Sequence, residues 1–323
     1  MDGKAPRVFF KVWPKKGRVI TVDEAKSGEL SAIQFNAMGM SDMGRVRKNN
    51  EDNLVLRDLT TGAKGALAAL FSHRIGPLGA LFLVADGMGG EASGEVASQM
   101  CVDTVPQRFS ENLKSLGGVR ETNFVLLLRE AVEYANQLIL QKASSAPVYR
   151  GMGTTTTAAA LFGPHLFVGQ VGDSRAYLIR GQKMAQLTRD QTFLNYLAEI
   201  GAELPEDPET DSRKSILTQA VGTSETVDVK VTYTKLRQGD RLLLCSDGLY
   251  NMVKSPELLS VVVSDDTLPN KGSRLITKAN ANGGTDNITL ILCEFCGPGL
   301  APLVSDAEVE FKEFDEDDFR RTS

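Results

Sequence analysis

Three apolar runs in this chain each stop at an aspartate beside glycine: Leu81-Phe-Leu-Val-Ala-Asp86-Gly87, Arg241-Leu-Leu-Leu-Cys-Ser-Asp247-Gly248 and Leu166-Phe-Val-Gly-Gln-Val-Gly172-Asp173. Runs of this length and content read as buried strands. A fold that delivers several strand-borne carboxylates to one end suggests acids converging on metal ions rather than scattered surface charge. Glu51-Asp52, ahead of the strand-like Leu54-Val-Leu56, and Asp286-Asn287, ahead of the apolar run 288–295, extend the pattern. A single Asp-Gly is ordinarily just a turn, and Asp42, Asp58, Asp103 and Asp207 fit that plain reading. It is the recurrence that sets the other acids apart.

Hard cations such as Mg2+ or Mn2+ prefer oxygen ligands. A carboxylate shared by two such ions holds them roughly 3.5–4 Å apart, close enough to share a water that becomes a nucleophile near neutral pH. Glycine after the aspartate has its own reason, because a backbone carbonyl or a phosphate approaches closely only where no side chain intrudes. Arg47 lies just upstream of Glu51-Asp52. Its guanidinium stays charged and offers a planar fork for phosphate oxygens, so beside such acids it points to a phosphate ester.

The rest of the chain reads as a sheet-rich domain with helical covers. Helices are predicted over 92–109, 124–141, 193–200, 258–263 and 273–280, and an antiparallel meander over 151–187. Residues 58–79 read as a long connection with a helical turn, and the proline- and acid-rich 203–215 as an exposed excursion. The N-terminal arm, 1–34, mixes aromatics with lysines, which suits a mobile arm or an added edge strand.

At 323 residues and 42% hydrophobic content, the chain can bury a sizeable core. Its net charge of −5 misleads, because residues 306–318 hold eight acids and one lysine, which leaves +2 elsewhere. Nothing suggests a nucleic-acid surface or membrane insertion. The acidic stretch 297–323 is expected to be a disordered tail. Four cysteines are too few for a disulfide framework, and with no signal-like N-terminus a cytoplasmic setting is expected. Cys293 and Cys296 end a strand-like run, where an offset of three turns them to opposite faces.

Seven motifs, in order, carry a specific resemblance: Arg47-x-x-Asn50-Glu51-Asp52, Val84-Ala-Asp86-Gly-Met-Gly-Gly90, Gly151-Met-Gly-Thr-Thr155, Gly172-Asp-Ser-Arg175, Leu187-Thr-x-Asp190, Cys245-Ser-Asp-Gly-Leu249 and Gly284-Thr-Asp-Asn-Ile288. From residue 35 to 296 the chain resembles the bacterial branch of the metal-dependent type 2C serine/threonine protein phosphatases. That resemblance implies an α+β fold in which two packed antiparallel sheets are flanked by helices on both sides, with the metal site at one end of the sandwich. It implies two Mn2+ or Mg2+ ions and a weaker third. Asp86 would bridge the pair, the Gly87 carbonyl would join it, and Asp247 and Asp286 would complete one ion's protein ligands. Glu51 and Asp52 would hold waters at or near the other, Asp173 would share a third position with Asp247, and Arg47 would grip the phosphate.

Residues 191–215 fall where that family places a variable flap. Met88 stands where many eukaryotic relatives carry histidine, and methionine cannot donate a proton. His73 and His165, both in predicted connections, are poor substitutes.

The expected reaction is direct hydrolysis of phosphoserine and phosphothreonine by metal-activated water. No cysteine stands six residues ahead of an arginine, and no Asp-x-Asp-x-Thr or Asp-x-Asp-x-Val occurs, so neither of those phosphoenzyme chemistries is favoured. Expected partners are phosphorylated proteins, a serine/threonine kinase and its substrates among them, met by a monomer. Two alternatives stand beside this: a non-catalytic phosphoprotein-binding module of the same fold, and the same chemistry on another phosphorylated regulator.

Overall fold

A computed structural model describes residues 20–21, 33–89, 93–116, 118–119, 121–208, 211–303 and 308–315. Most of the N-terminal arm, Gly90 and the last eight residues lie outside this set. In chain order the first strands are β1 (Ile20–Thr21), β2 (Gln34–Asp42), β3 (Asp52–Asp58), β4 (Phe71–Arg74) and β5 (Ala80–Met88). Helix α1 (Ser93–Ser115), β6 (Gly118–Val119) and α2 (Glu121–Ser145) follow. Then come β7 (Gly153–Thr154), β8 (Thr156–Phe162), β9 (His165–Val171), β10 (Arg175–Arg180), β11 (Lys183–Gln186) and α3 (Phe193–Glu199). The chain continues through β12 (Lys230–Lys235), β13 (Arg241–Cys245), α4 (Asp247–Tyr250), α5 (Ser255–Val262), α6 (Leu268–Ala281), β14 (Ile288–Cys296) and β15 (Lys312–Glu313).

These strands make the expected α+β sandwich. One sheet runs β11-β10-β13-β14-β2-β4; the other runs β15-β12-β9-β8-β5-β3, with β7 paired to β5. Alternation along β5 shows how the layers arise. Ala80, Phe82 and Val84 point into the space between the sheets, where they meet Phe35, Leu244 and Ile291. Leu81, Leu83 and Ala85 face the other way, onto Val105 and Phe109 of α1 and Leu128 of α2. The six-stranded sheet does the same with Leu243 and Leu292, which pack against Leu258 of α5 and Leu275 of α6. Each fully buried Leu or Phe contributes roughly 1.5–3 kcal/mol, so the three layers of packing hold the sandwich together. Thr267 caps α6 by accepting a hydrogen bond from Asn270 N, and a proline opens the helix.

Cys293 lies buried between the sheets while Cys296 is part-exposed, which agrees with opposite faces of one strand. Two stretches depart from expectation. The connection 58–79 contains the edge strand β4, which pairs with β2 through Ala37↔Phe71 and Phe35↔His73. The acidic C-terminal stretch is ordered over 308–315 rather than disordered: β15 pairs with β12, and Phe314 is buried under α2. One aromatic side chain in an apolar socket and a sheet edge to pair with outweigh the self-repulsion of the acids.

Candidate active site

Antiparallel pairing puts the end of one strand beside the start of its neighbour. Accordingly the start of β3, the end of β5, the end of β13, the start of β14 and the β9–β10 turn all meet at one end of the sandwich. Asp52 and Asp86 stand directly opposite each other on β3 and β5, hence on the same face. Asp247 opens the short helix α4 rather than sitting in a plain turn. Asp286 precedes β14, and Asp173 lies in the turn between β9 and β10.

The acids are held by neighbours distant in sequence. Ser246 Oγ donates to Asp52 Oδ2 at 2.7 Å. The Asp86 amide donates to Thr155 Oγ1 at 3.0 Å, and Thr154 Oγ1 donates back to the Asp86 carbonyl at 3.0 Å. The Asp247 carboxylate takes a hydrogen bond from Asn251 Nδ2 at 3.1 Å, and the Asp173 carbonyl takes one from the Tyr250 hydroxyl at 3.2 Å. Arg47 donates through Nη2 to Asp286 Oδ2 at 2.6 Å, with half of its side chain exposed at the rim. Glu51 is part-buried, and the Gly94 amide at the start of α1 bonds its carboxylate.

Gly87 and Gly248 have a common cause. A Cβ on Gly87 would lie 2.2 Å from the Gly94 carbonyl oxygen, and one on Gly248 would lie 2.1 Å from that of Asn287. Each Asp-Gly thus makes room for a backbone carbonyl of a neighbouring segment.

Electrostatically the acids are crowded. Burial, and after it the hydrogen bonds that oppose it and the charge of Asp247, leave Asp52 pushed up to about 7. Burial, then Asp247, raise Asp173 to about 8. Burial, then Asp286, raise Asp247 to about 6. Asp86 is driven well above the carboxylate range by burial first and then by Asp52, Asp247, Asp173 and Asp286. Burial also raises Glu51, against the pull of Arg47. Acids that disfavour their own ionisation in this way are satisfied by cations.

The residues fit hard divalent ions. All donors are oxygens, and the buried Oδ1 atoms of Asp52 and Asp247 have no hydrogen-bond partner. Among the described residues no group of three or more His, Cys, Asp or Glu side chains is placed to hold an ion by itself. An octahedral ion that retains several waters needs only one or two carboxylates.

All eight residues singled out from the sequence, Arg47, Glu51, Asp52, Asp86, Gly87, Asp173, Asp247 and Asp286, therefore gather at this end. Two positioning residues were missed. Asn287 Oδ1 accepts from the Glu51 amide at 2.8 Å, and its Nδ2 donates to the carbonyls of Met43 and Asn49 at 3.0 and 2.9 Å, pinning the loop that carries Arg47. Ser246 supports Asp52 and also accepts from the Thr289 amide at 3.0 Å. Both lie inside motifs, yet their roles depend on groups some 200 residues away, the Asp52 carboxylate for Ser246 and the Glu51 amide for Asn287. Met88 sits 37% exposed at the rim.

Comparison with known proteins agrees with this geometry. The family model described as protein phosphatase 2C matches residues 69–274. The serine/threonine phosphatase stp of Listeria monocytogenes is 35% identical over 254 residues, spanning 79% of this chain and 93% of that protein. The solved serine/threonine phosphatase of S. agalactiae superposes with a TM-score of 0.69 at 30% identity, covering 80% of this chain and 99% of that one. The catalytic domain of the phosphatase PstP, solved in complex with two manganese ions, gives 0.65 at 31% identity over 82% of this chain and 99% of its own. With a family model across most of its length and relatives matched nearly end to end, this chain belongs to the protein phosphatase 2C family.

Proposed function

We propose that this protein phosphatase hydrolyses phosphoserine and phosphothreonine in proteins, using Mn2+ or Mg2+ held at the acidic end of the sandwich. The observation that carries the reading is the face-to-face pair Asp52–Asp86, opposed across the sandwich by Asp247 and Asp286, with two buried carboxylate oxygens lacking any other partner. Asp86, the Gly87 carbonyl, Asp247 and Asp286 are the proposed protein ligands of two ions, with Glu51 and Asp52 orienting water beside them. Asp173 and Asp247 are assigned a weaker third position. When bound, such ions acidify a water and neutralise charge on the phosphoryl oxygens.

The chain's own groups do the rest. Arg47, at the rim and already held by one charged hydrogen bond to Asp286, turns its fork to the phosphate oxygens. Asn287 keeps the Arg47 loop in register with Glu51, and Ser246 fixes the rotamer of Asp52. Met88 carries no transferable proton, so the leaving seryl or threonyl oxygen takes its proton from a water or another group at the site. The non-catalytic alternative is not favoured, since the full acid set is present at the site.

The reading extends to a monomer in the cytoplasm that opposes a serine/threonine kinase and acts on its substrates. Among the described residues no helix is long and apolar enough to cross a membrane.

Hydrolysis of an aryl phosphate with Mn2+ or Mg2+ tests the chemistry. Asp247→Asn is expected to lose more than the roughly 10–100-fold that removal of a merely supporting partner costs. A wild type inert with both metals, or full activity in Asp247→Asn, sinks the reading.

A further inference from the structure

Arg175 has no part in the site as described so far, yet it joins three of its supports. Nε and Nη2 form a fork onto Asp190, at 3.0 and 2.6 Å from Oδ1 and Oδ2. Nη1 donates to the Tyr177 hydroxyl at 2.9 Å. The guanidinium carbon lies 3.6 Å from the centre of the Tyr250 ring, and the Tyr250 hydroxyl in turn donates to the Asp173 carbonyl. Tyr250 belongs to α4, the helix that Asp247 opens.

Asp190 is equally well placed at the other end. Its carboxylate also accepts from Gln186 Nε2 and its carbonyl from Asn195 Nδ2, so it anchors the start of α3. The next residue closes the circuit: Gln191 N donates to the Gly172 carbonyl at 2.9 Å, and the Gly172 amide donates to Gln191 Oε1 at 2.7 Å. Gly172 has φ +99°, and a Cβ there would lie 2.7 Å from a Thr155 methyl, so only glycine fits this turn. The root of the 191–215 excursion, the Gly172–Asp173 turn and α4 are therefore braced by one part-buried fork and one stacked ring. Lysine could supply the charge of Arg175 but neither the fork nor the flat stacking surface.

We propose that Arg175 is a positioning residue that locks the Gly172–Asp173 turn to α4 and to the root of the 191–215 excursion, and thereby sets the affinity of the weakly held cation position shared by Asp173 and Asp247. This rests on the metal-dependent reading above. It also gives that excursion a mechanical route to the site: displacement of its root loosens Asp190, then Arg175, then the Asp173 turn.

The test is Mn2+ titration of the full chain by calorimetry and electron paramagnetic resonance, alongside amide hydrogen exchange over residues 190–200. Arg175→Met keeps an apolar side chain against Tyr250 without the fork, and Asp190→Asn keeps the shape without the charge. In both, the two tight sites are expected to survive, the weak site to lose about tenfold in affinity, and exchange over 190–200 to quicken. Arg175→Lys is expected to recover only part of the loss. A weak site within about twofold of wild type in Asp190→Asn, with exchange unchanged, overturns the proposal, as does a wild type that binds two ions and no more. If Arg175→Met fails to fold, Asp190→Asn decides; if both lose cooperative unfolding, the pair is a core strut and the proposal falls. A wild type without phosphatase activity whose weak site still depends on Arg175 would sink the phosphatase reading alone.

Discussion

Asp52 shows how a single side chain is prepared at this site. Ser246 holds one of its oxygens, and the other is buried without a partner. Removing the serine hydroxyl takes away the stronger of the hydrogen bonds that offset the burial of Asp52, at a cost of about 1–3 kcal/mol. Ser246→Ala is therefore expected to weaken Mn2+ binding by roughly tenfold or more, measured by metal titration of activity and by calorimetry; an unchanged metal dependence would remove Ser246 from the site. Arg47→Ala should act differently. It removes a charged hydrogen bond worth about 1.5–3 kcal/mol, so KM for an aryl phosphate should rise about ten- to a hundredfold while kcat changes little. A fall in kcat at constant KM would instead place Arg47 in the chemical step. The acids and Arg47 were legible because Asp-Gly at strand ends and an upstream arginine are local patterns. Asn287 and Ser246 were not, since an asparagine or serine in a turn looks the same whether or not a distant amide or carboxylate comes to meet it.

At the scale of elements, periodicity announced the long helices and the buried strands, whose apolar spacing is set by the two faces they separate. It failed at β4, where only Phe71 of four residues is buried and pairing with β2 does the work. It failed again at the C-terminal stretch, because composition describes the eight acids of 306–318 but not the socket that receives Phe314. That segment is a strand added to the β12 edge. Thr234 Oγ1 donates to the Glu310 carbonyl at 2.6 Å, the Phe314 amide donates to the Val231 carbonyl at 2.7 Å, and the buried Arg180, paired with Asp240, donates to the Glu308 carbonyl at 3.1 Å. Truncating a buried phenylalanine ordinarily costs about 3–5 kcal/mol. Phe314→Ala should therefore free 308–315 for proteolysis and fast amide exchange while activity on an aryl phosphate persists. Continued protection of that segment would show that pairing with β12, not the aromatic anchor, holds it. The 191–215 excursion invites a complementary experiment. A short linker in place of 203–213 should change preference among phosphoproteins and spare a small aryl phosphate, whereas equal loss on both would make the excursion part of the chemistry.

For the whole molecule, the acidic cluster ties stability to both protons and cations. Asp247, Asp52 and Asp173 are raised from the ordinary 3.8 to about 6, 7 and 8, with burial as the first cause in each. An acid whose folded value lies above its unfolded value binds its proton more tightly in the folded state. Its contribution is thus fully present below about pH 4 and is lost as pH rises through the folded values, here between about 6 and 8. Glu294 runs the other way: although burial pushes it up, hydrogen bonds from Arg241 and Lys271 leave it lowered, so its contribution is present above its ordinary 4.5 and is lost as pH falls. With chelator present, Tm should accordingly fall as pH is raised from about 5.5 to 8. Mn2+ replaces the protons rather than adding to them, so its stabilising effect should be small at the lower pH and grow across the same window. An ion at a hundred times its Kd adds about 2.7 kcal/mol, enough to move Tm by several degrees. The acid pairs bridge the two sheets, Asp52 and Asp86 from one and Asp247 and Asp286 from the other, so their repulsion loads the sandwich itself and not one loop. Scanning calorimetry with chelator and with Mn2+ at both pH values checks the argument. A Mn2+ shift of equal size at both, or a metal-free Tm that climbs toward pH 8, would mean that the cluster is not what links this fold to its metal.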